Sequence, residues 1–395
     1  MKHNREIVVI VVWLLLGQGV WGQSPRADSP KPTATIVAGP YLQAPTDNSM
    51  TVMWLTDKKC TGWVEYGADE TLGQRAINSH DGLVDAYITI HKVKMTGLKP
   101  GTKYYYRVVS EEILEFGPYY DKRFSLPFQS KVFSFTTNSI EKEKVSVLCF
   151  NDIHERVDMW QDLLQAAGEE PYELVFLNGD IMDYLHGQEQ VINNLLNPAT
   201  EMFARQVPFC YTRGNHEARG NFARNLRDYV STVSERYFYA FSQGPVRFIV
   251  IDTGEDKEDS HAVYANLNVF DAYRSEQAKW LSKEVQSEAF KQAKWRVLMT
   301  HQPLEAEAKG YGIQDSHEKL SPYLNEGKID LNIAGHTHRA RIVAPKPVQD
   351  YPIVIGGGSN PNGATVIRLD ATENTLTVTT RTITGEVLHT FELKK

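Results

Sequence analysis

The sequence predicts an N-terminal β-sandwich followed by a layered α/β domain with two sheets, and three observations lead there. From residue 38 to about 137, short runs alternate apolar and polar positions between turn residues, the mark of half-buried strands. Residues 138–144 are polar and charged and mark a boundary. Beyond them, short apolar runs alternate with longer amphipathic stretches, the pattern of strands interleaved with helices. The chain has 395 residues, enough for two domains with a large core.

The first element is a leader. Lys2 and Arg5 precede an unbroken apolar run over 7–16, and Val20-Trp21-Gly22 sets a cut after Gly22. This predicts a signal peptide over 1–22 and a secreted or periplasmic protein. The apolar run is shorter than the ~20 residues a membrane span needs, so no stable span is expected after cleavage. Residues 23–35, rich in Ser, Pro, Lys and Thr, read as a flexible lead-in. The sandwich is placed over 36–137. Residues 50–55 and 61–66 alternate as strands, and Gly67 ends the second. Pro100-Gly101 then turns into a strand in which Tyr104, Tyr106 and Val108 share one face. This resembles the fibronectin type III sandwich, with Tyr104 as its tyrosine corner.

The second domain is placed over 145–395. Strand-like runs cover 145–150, 174–177, 208–211, 247–251, 297–299 and 329–333. Helical stretches lie at 156–167 and 275–290. Runs at 353–355, 364–369 and 375–382 are expected to complete a second sheet of that domain. Cys60, Cys149 and Cys210 are too few for a disulfide framework and read as small core residues.

Bulk charge narrows the function. With 42% hydrophobic residues and a net charge of -7, the chain lacks the basic surface of a nucleic-acid scaffold binder. A phosphorylated small molecule is still admissible, because metal ions can reverse the local sign. Five blocks supply the means. They are Asp152-Ile153-His154, Gly179-Asp180-Ile181-Met182-Asp183, Gly214-Asn215-His216-Glu217, His301, and Gly335-His336-Thr337-His338. Each follows an apolar run, and ligands in open α/β sheets collect beyond the carboxyl ends of strands. Carboxylate, imidazole and amide oxygens suit Mn, Fe or Zn. For the pairs Asp152/His154 and His336/His338, a spacing of two in extended backbone points both side chains the same way.

The order of these blocks resembles the calcineurin-like metallophosphoesterases over residues 145 to about 345, and the sandwich is similar to the N-terminal domain of purple acid phosphatases. The resemblance implies two metal ions, divalent or trivalent. Asp152, His154, Asp180 and His338 would hold the first; Asp180, Asn215, His301 and His336 would hold the second, with Asp180 bridging. It also implies that a hydroxide between the ions attacks phosphorus in line, that His216 protonates the leaving alkoxide, and that Asp183 orients His216. Purple acid phosphatases carry Gly where this chain has His154 and a metal-binding Tyr where it has Asp183. Both departures match the serine/threonine protein phosphatase form of the site, so no tyrosine ligand is expected. Tyr184 is one residue out of register.

Blander roles are assigned elsewhere. Glu217 is read as capping local backbone, Arg213 and Arg219 as salt-bridge partners, and Asp252 as structural. His186, His261 and His317 lie in polar stretches and read as solvated. Gly356-Gly357-Gly358 lacks the Lys-Ser/Thr of a P-loop and reads as a tight bend. The expected activity is hydrolysis of phosphomonoesters. The alternatives are a phosphodiesterase acting on nucleotides or lipid head groups, decided by the loops at 254–271 and 305–317, and a non-catalytic adhesion protein. Oligomeric state is not encoded in any motif.

Overall fold

The computed structural model describes residues 29–395. The signal-peptide reading (1–22) and the first part of the lead-in lie outside the described residues. The remainder of that lead-in is tied to the sandwich: Thr33 and Ala34 donate backbone N–H groups to Glu112 Oε2 at 2.7 and 3.0 Å, and Leu126 N–H donates to Pro30 O.

The sandwich is organised by one long strand, Ser49–Gly67. Its first half pairs antiparallel with Ile36–Gln43 and Ile88–Thr96. Its second half pairs with Lys103–Phe116. Register breaks between Leu55 and Cys60, where Asp57, Lys58 and Lys59 are exposed. The two halves therefore serve two layers. Met50, Val52 and Trp54 from one layer meet Val64, Tyr104, Tyr106 and Val108 from the other in a closed apolar cluster. The tyrosine hydroxyl of Tyr104 accepts the Lys99 N–H at 3.0 Å, bracing the preceding turn.

The second domain has four layers, and its two sheets are packed face to face. In one sheet the parallel strands Lys144–Phe150, Leu174–Asn178 and Phe209–Thr212 lie side by side. In the other, Val246–Ile251, Trp295–Thr300, Leu331–Ala334 and Ile353–Ile355 run parallel. Between them, Val147, Phe176 and Cys210 pack on Phe248, Val297 and Ile333. Both faces of every central strand are covered, which is why these runs are apolar throughout rather than alternating. The outer face of the first sheet carries helix Met159–Ala166 and the helical stretch spanning 188–204. The outer face of the second carries Phe270–Glu284 and Tyr311–Glu326.

The C-terminal strands differ from the expectation that they complete the second sheet. Ile353–Ile355 does so, whereas Thr365–Thr372 pairs antiparallel with Lys144–Phe150 and extends the first sheet through Thr375–Thr382 and Val387–Lys394. Thus the chain finishes by extending both sheets.

The two domains share a hydrogen-bonded ladder. Strand Ile36–Gln43 pairs with the sandwich on one side and with Phe209–Thr212 on the other, in register at Gln43 and Phe209. Buried polar contacts fasten the joint. Tyr41 donates its hydroxyl to Tyr229 O at 2.8 Å, Ser231 N–H donates to Gln43 Oε1, and Tyr106 donates to Arg205 O at 2.7 Å. Cys60, Cys149 and Cys210 are free and buried. Among the described residues, no helix is long and apolar enough to cross a membrane.

Candidate metal centre

Five strand ends from two sheets converge. Asp152 follows Lys144–Phe150, Asp180 follows Leu174–Asn178, and Asn215 follows Phe209–Thr212 in the first sheet. His301 follows Trp295–Thr300 and His336 follows Leu331–Ala334 in the second. All seven side chains expected to bind metal face a common space. Asp152, His154 and His338 form one group of donor atoms within 4.8 Å of one another, and Asp180, His301 and His336 form another. Asn215 Oδ1 lies 3.0 Å from His336 Nδ1 and joins the second group. A third grouping, His154, Asp180 and His216, forms the seam between them.

The backbone achieves this in a way that spacing in extended chain does not describe. Asp152, His154, Asp180, His336 and His338 all have left-handed backbone, with φ from 47° to 69°. The expectation that each Asp-x-His or His-x-His pair is extended is therefore corrected: a left-handed turn directs these side chains. Non-glycine residues enter this region at a cost of order 1–3 kcal/mol each. Neighbouring glycines let the donors crowd together. A Cβ on Gly214 would lie 2.2 Å from Asp180 Oδ1, and one on Gly335 would lie 2.4 Å from Asp152 Oδ2. Gly356-Gly357-Gly358 serves the same end, correcting its reading as a bend alone. A Cβ on Gly356 would meet Asn151 Oδ1 at 2.0 Å, and one on Gly358 would meet His338 Cβ at 2.6 Å.

The donor set fits cations. His338 Nε2 lies 3.1 Å from Asp152 Oδ1, and His301 Nε2 lies 3.1 Å from Asp180 Oδ2. Yet buried Asp152 Oδ1 and His301 Nε2 have no aligned hydrogen bond among the described residues. Such buried, unsatisfied donors, each in a group whose atoms lie within 4.8 Å of one another, suit a cation. His154 Nε2 and His338 Nε2 likewise face each other at 3.1 Å. His301 Nδ1 is 3.0 Å from the carbonyl of Asn178, which can only accept, so the proton sits on Nδ1 and Nε2 is turned to the centre. Burial pushes Asp180 up and His301 down, but their mutual attraction outweighs it. Asp180 stays well below the usual carboxylate range and His301 rises to about 10, so a cation held at Nε2 would displace a proton from that atom. The field at this point favours positive charge.

Asp183 touches both flanking rings. Its Oδ1 lies 2.6 Å from His154 Nδ1 and 3.1 Å from His216 Nδ1. The aligned hydrogen bond goes to His154, so the aspartate is shared rather than dedicated to His216. Burial lowers His216, Asp180 raises it, Arg219 and His154 lower it, and Asp183 raises it; the balance falls below the ordinary imidazole value. Tyr184 is half-exposed, its ring 5.9 Å from that of His216 and stacked on His186.

Three supporting residues deepen the picture. Glu217 is fully buried and accepts backbone N–H bonds from Asp180, Ile181, Met182 and Gly214, at 2.7 to 3.0 Å. It clamps two ligand-bearing turns together, a longer reach than local capping. Burial and Asp180 push its carboxyl up to about 7, while the N–H donors pull the other way. Asn151, which sequence reasoning passed over, donates to Asp152 Oδ2 at 2.6 Å and Gly357 O at 2.8 Å. Glu155 accepts the Asp183 N–H. The available signal was a polar residue beside a candidate ligand: Asn151 precedes Asp152 and Glu155 follows His154. Arg213 pairs with Asp252 at 2.6 Å and Arg219 with Glu255 at 2.8 Å, as salt bridges. Beside His336 opens a cleft of roughly 470 Å³, lined by Asp256, Lys257, His261 and Tyr311 among others.

The comparisons agree with this architecture. Residues 145–340 match the family described as calcineurin-like phosphoesterase, and residues 39–137 match the purple acid phosphatase N-terminal domain. Acid phosphatase type 7 of Danio rerio is 22% identical over 346 residues, covering 80% of this chain and 72% of that protein. Purple acid phosphatase 21 of Arabidopsis thaliana is 24% identical over 294 residues, covering 69% of this chain; the chain spans only 59% of that relative. The fold is shared with a purple acid phosphatase from yellow lupin (Lupinus luteus) seeds, at a TM-score of 0.67 and 17% identity, over 90% of this chain and 74% of that one. PhoD has the same fold at a TM-score of 0.61 and 13% identity, over 90% of this chain and 88% of that one. The chain belongs to the calcineurin-like phosphoesterases and carries, ahead of that catalytic domain, the N-terminal domain of the purple acid phosphatases.

Proposed function

We propose that this protein is an exported phosphatase that hydrolyses phosphomonoesters at a centre of two metal ions. The observation that supports it is the convergence of seven oxygen and nitrogen donors on one space with His216 beside them. Asp152, His154, Asp180 and His338 would hold one ion, and Asp180, Asn215, His301 and His336 the other. When bound, the two ions supply a water acidic enough to ionise near neutral pH and charge to offset the phosphoryl oxygens. The remaining work falls to the protein. His216 Nε2 faces the centre, 4.0 Å from Asp180 Oδ2, and delivers a proton to the departing alkoxide. Asp183, 3.1 Å from the other ring nitrogen, favours the protonated ring. Asn178 O and Asp183 fix the proton on Nδ1 of His301 and His154, so that each presents Nε2.

The leader over 1–22 supports export to a secreted or periplasmic location. The test is metal content measured together with rates on matched monoester and diester chromogenic substrates. A preference for the diester would replace the monoester reading. His216→Ala should slow esters with poor leaving groups by ~10²–10⁴ and activated aryl esters far less. Equal losses on both would remove His216 from the acid role.

A further inference from the structure

A second cavity, of about 410 Å³, lies against the catalytic turn yet shares no lining residue with the metal-ligand groups. Its position is specific: Arg213 and Ala218, at the two ends of the Gly214–Glu217 block, both line it. Its charge is one-sided. Four arginines line it against one glutamate, Glu235, and that glutamate is engaged by Lys92.

Two of the arginines are committed. Arg213 is ion-paired with Asp252 and lies 4.5 Å over the Tyr237 ring, and Arg236 pairs with Glu276 at 2.6 Å. The other two have charge to spare. Arg224 and Arg227 lie three apart on the 3₁₀ turn Ala223–Asp228, where residues i and i+3 eclipse, so both leave the turn on one side. Arg224 donates only to the carbonyl of Leu267, and Arg227 has no ion pair or hydrogen bond among the described residues. Most of the remaining lining is apolar, with Thr232 and Asn268 as polar exceptions, and its mouth is open: Leu267 is 68% exposed and Val269 73%. Tyr237 contributes a buried hydroxyl with no hydrogen-bond partner among the described residues.

We infer that this cavity binds a small organic anion with an apolar, ring-sized body. Arg224 and Arg227 hold the acidic group, Leu267 and Val269 cover the body, and the Tyr237 hydroxyl supplies a polar contact. Free guanidiniums without the apolar wall would suit any anion, and the wall without them any oily solute; together they select an amphipathic acid.

The test is calorimetric titration of the metal-loaded protein with naphthalene-1-sulfonate, with and without inorganic phosphate. One site is expected. It should weaken at least tenfold in the Arg224→Gln/Arg227→Gln double variant and in Val269→Asp, both of which keep hydrolysis of a small aryl phosphate unchanged. 1-Naphthol, the same body without the charge, should bind at least tenfold more weakly. Equal binding by 1-naphthol, unchanged binding by both variants, or displacement of the sulfonate by inorganic phosphate would each overturn the assignment.

Discussion

In the sandwich, the His91 ring stacks on Trp54 at 4.8 Å and meets Thr56 Oγ1 at 3.1 Å. In the catalytic domain, the His301 ring meets a carboxylate oxygen of Asp180 at 3.1 Å. Both histidines are almost completely buried, at 2% and 0% exposure. Burial alone pushes either one toward the neutral form. It succeeds at His91, whose value falls to about 4, and fails at His301, which is carried to about 10 by Asp180. The lesson is that depth does not decide the protonation of a buried imidazole; the charge of its neighbour does. One region uses the ring as packing, and the other uses it as a donor in a charged cluster.

The sharpest way to break this contrast is to neutralise the carboxylate. Asp180→Asn should lower turnover by at least about a thousandfold, equivalent to roughly 4 kcal/mol of barrier, and deplete metal measured by elemental analysis. Normal metal content and turnover would dissolve the distinction between the two regions. Glu217→Ala strips four backbone N–H groups of their acceptor and should destabilise the chain by about 3–5 kcal/mol in a urea titration.

His91 provides the counterpart in the sandwich. Its folded value lies below that of the unfolded chain, so the unfolded state binds more protons between pH 6.5 and about 4. Its contribution is present above 6.5 and is lost as pH falls through that window, a change of roughly 3 kcal/mol. His91→Gln should flatten stability against pH across that window; an unaltered slope would mean that the ring is not held neutral. The smallest effect concerns the joint between the regions. Tyr41→Phe removes one buried interdomain hydrogen bond and should cost about 1 kcal/mol, read from the same urea titration.

The strands were legible because both their faces are buried, leaving continuous apolar runs such as residues 174–177. The helical stretch over 188–204 was missed although Val191, Leu195, Ala199 and Phe203 mark a buried stripe, because Asn and Pro interrupt it and its turns widen locally. Helix Tyr311–Glu326 was missed for a similar reason: it carries Pro322 and many polar residues, and its stripe is only Ile313, Leu320 and Leu324. The identity of the donor residues was readable in the five blocks. Their left-handed backbone was not, since Asp and His, although enriched at positive φ among non-glycine residues, still adopt it in a minority of positions and only tertiary packing enforces it. The sharing of Asp183 between His154 and His216 also depends on a turn that spacing alone does not describe.

The ladder through Gln43 and Phe209 has a consequence for anyone trimming the chain. Without strand Ile36–Gln43, strand Phe209–Thr212 would become the raw border of its sheet, with Phe209 and Tyr211 alongside unsatisfied peptide groups. Such a border recruits other chains. Cutting away the first domain would therefore yield a sticky fragment prone to clumping, because the N-terminal strand acts as a selvedge that keeps the fabric of the sheet from catching on its neighbours.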